Sequence, residues 1–190
     1  RETPDQGFFI KQKDLHVEYL PQIPLFIDGQ TILEAVFCQP TPAVPVVKEY
    51  EEAQYEAMTN PDSKQAQTRL MQAIDRMNSQ GAWELEQNAR TILTKLGISD
   101  FSAKVDEISG GQQKRVALAA ALLQPADLLI LDEPTNHLDH LALEWLEQFL
   151  QQYRGAVMMV THDRYFLDRV AKIMFELENG VLHRYEANYT

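Results

Sequence analysis

Two adjacent carboxylates, Asp132 and Glu133, follow the apolar run Leu128-Leu129-Ile130-Leu131, and Pro134 comes directly after them. A continuous apolar run of this length reads as a buried parallel strand, which the proline ends. Open α/β sheets hold their ligands at the carboxyl ends of such strands, so the two acids stand where chemistry is done. Upstream, Ser109-Gly110-Gly111 forms a turn that opens a helical run, Gln112 to Leu123. Backbone N–H groups exposed at a helix N-terminus make an anion site. Downstream, the apolar run Ala156 to Val160 delivers Thr161 and His162 to the same sheet edge. These residue types suit phosphoryl transfer, which needs a metal-holding carboxylate, a group that orients water and donors to phosphate oxygens. Asp132 fits the metal role, directly or through a metal-bound water. Glu133 fits the water-orienting or deprotonating role, and His162 can bond a terminal phosphate and hold the attacking water in line. Taken singly, an Ala-rich helix, a core strand and two solvated acids would be ordinary; their order carries the reading.

The elements that must position these groups can be read in turn. Gly7-Phe8-Phe9-Ile10 reads as extended, and Leu15 to Leu20 alternates apolar and polar residues as a short strand running into Pro21-Gln22. Pro40, Pro42 and Pro45 mark an irregular connector. A helix is expected from Val46 to about Met58, broken by Asn60-Pro61-Asp62. Ser63 can N-cap a second helix from Lys64 to about Ser79, with Leu70, Ala73, Ile74 and Met77 at helical spacing. Together these two helices form a hairpin, about 46–80, and a third helix runs from about Trp83 to Leu96, ended by Gly97. After Asp139 a helix from about Leu141 to Tyr153 carries the stripe Leu143, Leu146, Phe149 and Leu150. Ala156 to Val160 reads as a second buried strand. Asn179-Gly180 between Ile173–Leu177 and Val181–Tyr185 is a strong hairpin signal. Strands alternating with helices give an α/β fold with a parallel core sheet.

Composition sets the outer bounds. The chain of 190 residues is 45% hydrophobic and 24% charged, as soluble globular domains are. No apolar run approaches the roughly 20 residues that cross a bilayer. A single cysteine, Cys38, cannot form an internal disulfide, fits a reducing cytosol and reads as a partly buried small hydrophobe. The net charge of −11 argues against a broad non-specific nucleic-acid surface.

The motifs resemble those of the ATP-binding cassette family. Ser109-Gly110-Gly111-Gln112 is similar to its signature motif, Asp132-Glu133 to its Walker B end, and Asn136-His137-Leu138-Asp139 to the loop carrying signals across its dimer interface. Gln22, just after a strand, resembles the family's glutamine that contacts the metal and senses the nucleotide; His162 resembles its switch histidine. The resemblance implies a P-loop NTPase-like cassette lobe from residues 1–22 and 109–190, with a helical subdomain at 23–108 that carries the inserted arm. It implies ATP and Mg2+ as ligands, a site shared between paired cassettes, and Ser109 to Gln112 set against the nucleotide of the opposite cassette. The phosphate-binding loop G-x-x-x-x-G-K-[ST] is absent from these residues. In the family it lies before the region matching Arg1, so the chain reads as a cassette cut off at its N-terminal side and inactive alone.

The long insertion, Thr135-Asn136-His137-Leu138-Asp139 and Thr161-His162-Asp163-Arg164-Tyr165-Phe166-Leu167 resemble the ABC-F class, soluble cytoplasmic tandem-cassette ATPases of which many act on the ribosome. That likeness implies a first cassette whose arm reaches ribosomal or tRNA partners. From Val46 to Leu96, Glu49, Glu51, Glu52, Glu56, Asp62, Asp75, Glu84 and Glu86 face only Lys48, Lys64, Arg69, Arg76, Arg90 and Lys95, so the arm is not a basic surface. Two other readings stand beside it. One is the ATPase subunit of a membrane transporter; the other is a non-catalytic interaction module, against which Glu133 and His162 both count.

Overall fold

A computed structural model of the chain describes residues 7, 10, 12–37 and 43–186. Phe8, Phe9, Cys38, Pro40 and Pro42, on which expectations were placed above, lie outside the described residues. Three parallel strands, β1 (Val17–Leu20), β2 (Leu128–Asp132) and β3 (Ala156–Val160), form a sheet in the order β1-β2-β3. In register, Leu20 stands against Leu131, and Asp132 against Val160. This brings the carboxyl ends of all three strands to one edge.

After β1 come α1 (Ile32–Val36), α2 (Ala43–Thr59), α3 (Lys64–Gln80) and α4 (Trp83–Lys95). They are followed by α5 (Gly110–Leu123), which leads into β2. Helix α6 (His140–Gln151) crosses to β3, then α7 (Arg164–Val170) leads to the antiparallel hairpin β4 (Ile173–Glu178) and β5 (Val181–Glu186). Its turn has Asn179 and Gly180 at φ 50 and 78, the left-handed pair that an Asn-Gly hairpin requires. Helix α5 buries Val116, Leu118, Ala119 and Leu122 in one apolar core with Leu20, Leu129 and Leu131 from the sheet. Leu146 and Leu150 from α6 and Phe166 from α7 join it.

Among the described residues, one face of the sheet is covered and the other is open. Glu18, Leu20, Leu129 and Leu131 are buried, while Tyr19 is 54% exposed and Met158 and Val160 are each 58% exposed. This corrects the reading of Ala156–Val160 as buried throughout, because the described helices cover only the face carrying Val157 and Met159. The same geometry places Glu18 inward, where His16 Nε2 lies 3.1 Å from its carboxylate. His16 also donates its backbone N–H to Asp127 at 2.9 Å, and its Nδ1 lies 2.6 Å from the Pro125 carbonyl oxygen, so its role is structural.

Helices α2 and α3 form the expected hairpin, with Ser63 Oγ accepting the Ala66 N–H at 3.3 Å as N-cap. Helix α2 starts at Ala43, so Pro45 lies in its first turn rather than in a connector. The correction has a simple cause: a proline there loses no intrahelical bond, since first-turn N–H groups have no partner. Between the helices, small buried residues (Ala53 and Ala57, Ala66 and Ala73) allow close approach. Arg69 pairs with Glu52 and Glu56 at 2.9 and 2.7 Å, and Arg76 pairs with Glu49. At the hairpin's root the packing changes: Val44, Val46, Val47 and Met77 belong to the main core.

Candidate functional site

Strand pairing continues one residue past Asp132, because the Glu133 N–H donates to the Val160 carbonyl at 2.8 Å. The chain then turns sharply. Glu133 has φ 50 and His137 has φ 64, left-handed backbone that non-glycine residues rarely adopt and that concentrates at functional turns. The turn directs the Glu133 carboxylate along the strand ends, where Oε1 lies 3.3 Å from Nε2 of His162. The two environments differ: the Glu133 side chain is 12% exposed and that of His162 is 97% exposed. A sheltered carboxylate holds an imidazole that is open to an incoming group.

Gln22, two residues beyond β1, lines one cleft with Asp132, Glu133 and Asn136; Lys114 and Arg115 from α5 close its side. The cleft thus gathers two carboxylates, two amides and two cations around the ends of β1 and β2. Among the described residues no group of three or more His, Cys, Asp or Glu is arranged to cage a metal ion. That donor set fits Mg2+, which keeps waters and phosphate oxygens in its shell and takes only one or two carboxylates from protein.

Ser109, Gly110, Gly111 and Gln112 are not part of this cleft's lining. Ser109 caps α5: its Oγ accepts the Gln112 N–H at 3.3 Å, and the Gln112 side-chain oxygen accepts the Ser109 N–H at 3.0 Å. A Cβ placed on Gly110 would meet open space, and one on Gly111 would lie 3.5 Å from the His137 ring. Asp139 caps α6, accepting the Ala142 N–H at 2.8 Å. Lys114 and Arg115 were not singled out from the sequence, and Asn136 was read there only as part of the interface loop. The signal available was position, since Lys114 and Arg115 follow the Ser-Gly-Gly turn by about one helical turn and face the strand ends. A further pair is invisible in sequence: the Thr135 and Thr161 hydroxyl oxygens lie 2.9 Å apart.

The model of the ABC transporter family matches residues 9–136. The chain is 48% identical over 188 residues to an uncharacterized ABC transporter ATP-binding protein, YfmR, of Bacillus subtilis, covering 99% of this chain and 30% of that protein. It is 37% identical over 183 residues to the energy-dependent translational throttle protein EttA of Haemophilus influenzae, covering 94% of this chain and 32% of that protein. It therefore spans about a third of the length of these curated relatives. Among solved structures, an ATP-binding subunit of an ABC transporter superposes with a TM-score of 0.60 at 20% identity, covering 90% of this chain and 59% of that one. An archaeal ribosome recycling factor, aABCE1, solved with the ribosomal stalk protein aP1, superposes at 0.57 with 26% identity, covering 96% and 29%. A P-loop cassette fold with a parallel sheet and a helical subdomain, joined to this sequence match, makes the chain an ATP-binding cassette of the ABC transporter family.

Proposed function

We propose that this cassette hydrolyses ATP as one of a pair, in a cytoplasmic ABC-F factor that acts on the ribosome. The observation that carries the reading is the strand-end pair: a sheltered carboxylate at Glu133 with the exposed His162 imidazole 3.3 Å away. Glu133 takes the proton of the attacking water, and His162, held by Glu133, bonds the terminal phosphate. Asp132 and Gln22 would hold Mg2+, which would supply charge neutralisation at the phosphates. Ser109 to Gln112 face the nucleotide of the other cassette, and Asp139 belongs to the loop at that interface. The similarity to a translational throttle protein over 94% of the chain supports the translation reading, as does the hairpin α2–α3 as an arm for a ribosomal or tRNA contact. A membrane transporter subunit is the competing outcome; among the described residues no helix is long and apolar enough to cross a membrane.

Glu133→Gln in the full-length protein tests both parts. It keeps shape and hydrogen bonding but removes the base, so turnover should fall by about 10² to 10⁴ while ATP stays bound. In that background, ATP should drive co-sedimentation with ribosomes. Turnover at the parental rate would sink the assignment of Glu133; ATP trapping without ribosome association would sink the ABC-F reading. These 190 residues hold no phosphate-binding loop of the form G-x-x-x-x-G-K-[ST], so the chain by itself should not turn over ATP. Magnesium-dependent turnover by the chain alone, abolished by Glu133→Gln, would refute that.

A further inference from the structure

The Glu133–His162 pair has a weakness in its own geometry. His162 is 97% exposed, and among the described residues the Glu133 carboxylate alone holds it, so packing does not fix its place. The imidazole's place must therefore be set by the backbone that carries it. The same holds for Glu133, whose left-handed backbone begins a turn that only one strand-pairing bond, to Val160, ties to β3.

A second tie stands just beyond. Thr135, two residues after Glu133, and Thr161, one residue before His162, bring their hydroxyl oxygens to 2.9 Å. Thr161 Oγ1 also accepts the Asp163 N–H at 3.2 Å. Asp163 in turn caps α7, accepting the Phe166 N–H at 3.0 Å, and Phe166 is anchored in the core at 2% exposure. A threonine hydroxyl has one donor and two acceptor lone pairs, so Thr161 can accept from Asp163 and still exchange a bond with Thr135. The chain of bonds runs from the buried Phe166, through Asp163 and Thr161, to Thr135 and the turn that bears Glu133. Both threonines are partly buried, so water competes weakly for the tie.

We infer that Thr135 and Thr161 are positioning residues: their hydroxyl tie fixes the turn after β2 to the end of β3 and so sets the Glu133-to-His162 geometry for hydrolysis. This rests on the reading of Glu133 and His162 given above. Neither threonine touches nucleotide in this scheme. Loss of the tie should therefore slow the chemical step without weakening ATP binding, because a displacement of about 1 Å at a reacting group can cost up to about 10² in rate.

The test is steady-state ATP hydrolysis by the full-length protein with Thr135→Val, Thr135→Ser, Thr161→Val, the double Thr135→Val/Thr161→Val, and Glu133→Gln as reference. Valine matches threonine in shape and removes only the hydroxyl. Thr135→Val should lower kcat about tenfold and leave KM for ATP within about twofold, and Thr135→Ser should restore kcat to within about threefold. The double variant should be no slower than Thr161→Val, since two halves of one bond are lost only once. Thermal midpoints of the variants establish that each is folded. A normal kcat for Thr135→Val beside a slow Glu133→Gln would overturn the tie while leaving the base in place. A rise in KM equal to the fall in kcat, or full additivity in the double variant, would also overturn it. Parental turnover by Glu133→Gln would remove the base assignment, and the positioning role would fall with it.

Discussion

Arg90 stands where the root of the hairpin meets α4, and its replacement by methionine tests how the arm is held. The guanidinium donates from Nη2 to Glu51 Oε1 at 2.7 Å, from Nε to Glu86, and lies 5.0 Å over the Phe101 ring. Side-chain exposures are 34% for Arg90, 28% for Glu51 and 12% for Glu86. Removing one partner of a fully buried ion pair costs about 3–5 kcal/mol, chiefly because the other charge is stranded. Here about a third of the cation is in solvent, so screening reduces the cost, and about 2–3 kcal/mol is expected for Arg90→Met. Methionine keeps an apolar stem over Phe101, which isolates the charge effect. Adding Glu51→Gln and Glu86→Gln removes the stranded acids, and the triple variant should recover most of the loss. Urea unfolding followed by circular dichroism reads this as a midpoint about 1 M lower for Arg90→Met at an unchanged slope. The Tyr50 hydroxyl gives a second readout. Burial raises its pKa, Glu51 and Glu86 add to the rise, and Arg90 opposes it. Ultraviolet titration should therefore show Tyr50 ionising at still higher pH in Arg90→Met. A midpoint shift below about 0.2 M, or a triple variant no more stable than Arg90→Met, would refute the stranded-charge reasoning.

Two further expectations concern stability alone. The Asp100 carboxyl is held below its ordinary value first by the Ser102 hydroxyl and then by the Ser102 backbone N–H; desolvation opposes them, and the Ala103 backbone N–H adds a lesser lowering. A carboxyl depressed in the folded state contributes stability that is present above its unfolded pKa and lost as pH falls through the folded value. The thermal midpoint of Asp100→Asn should thus lie below the parent's at pH 7 and converge on it in acid below the carboxylate range; an equal gap at both pH values would contradict the linkage. Gly155→Ala, just before β3, should be costly, since its Cβ would come within 2.3 Å of the Ala126 carbonyl oxygen and 3.0 Å of that of Asp127, both backbone atoms just before β2. About 1–3 kcal/mol or more is expected. Gly110→Ala, whose Cβ meets open space in the first turn of α5, should cost little, and equal denaturation midpoints for the two would show that β3 shifts freely.

What the sequence announced and what it hid follow from how local the controlling physics is. The α5 start, β2 and the β4–β5 turn were legible because a Ser-Gly-Gly turn, an unbroken apolar run and an Asn-Gly pair each act over a few residues. Helix α1 was missed although Thr31 and Glu34 form a capping box, because five residues show too little periodicity to be recognised. Helix α7 was missed for the same reason, with Asp163 as the overlooked cap. The half-open sheet could not be read at all. Ala156–Val160 is apolar at every position, and which face the helices cover is a property of the packing and not of the strand. At the site, the strand-end acids and His162 were legible by position. The hydroxyl tie between Thr135 and Thr161, and the arrival of Lys114 and Arg115 at the cleft, depend on pairing between distant segments.

That distance has a consequence in time. Among the described residues β1 pairs with β2 alone, and His16 meets Asp127 across 111 positions of sequence. At the usual pace of synthesis, about 5–20 residues per second, β1 emerges roughly 5–20 seconds before its partner exists. Helices α2 and α3 need no such wait, because their ion pairs and alanine contacts lie within one hairpin and helices form in microseconds or less. The nascent chain therefore carries an early, self-sufficient hairpin beside a strand whose partner β2 has yet to be made. During that interval β1 and the exposed Ile23, Leu25 and Ile27 after it are the segment most open to chaperones, or to the wrong strand.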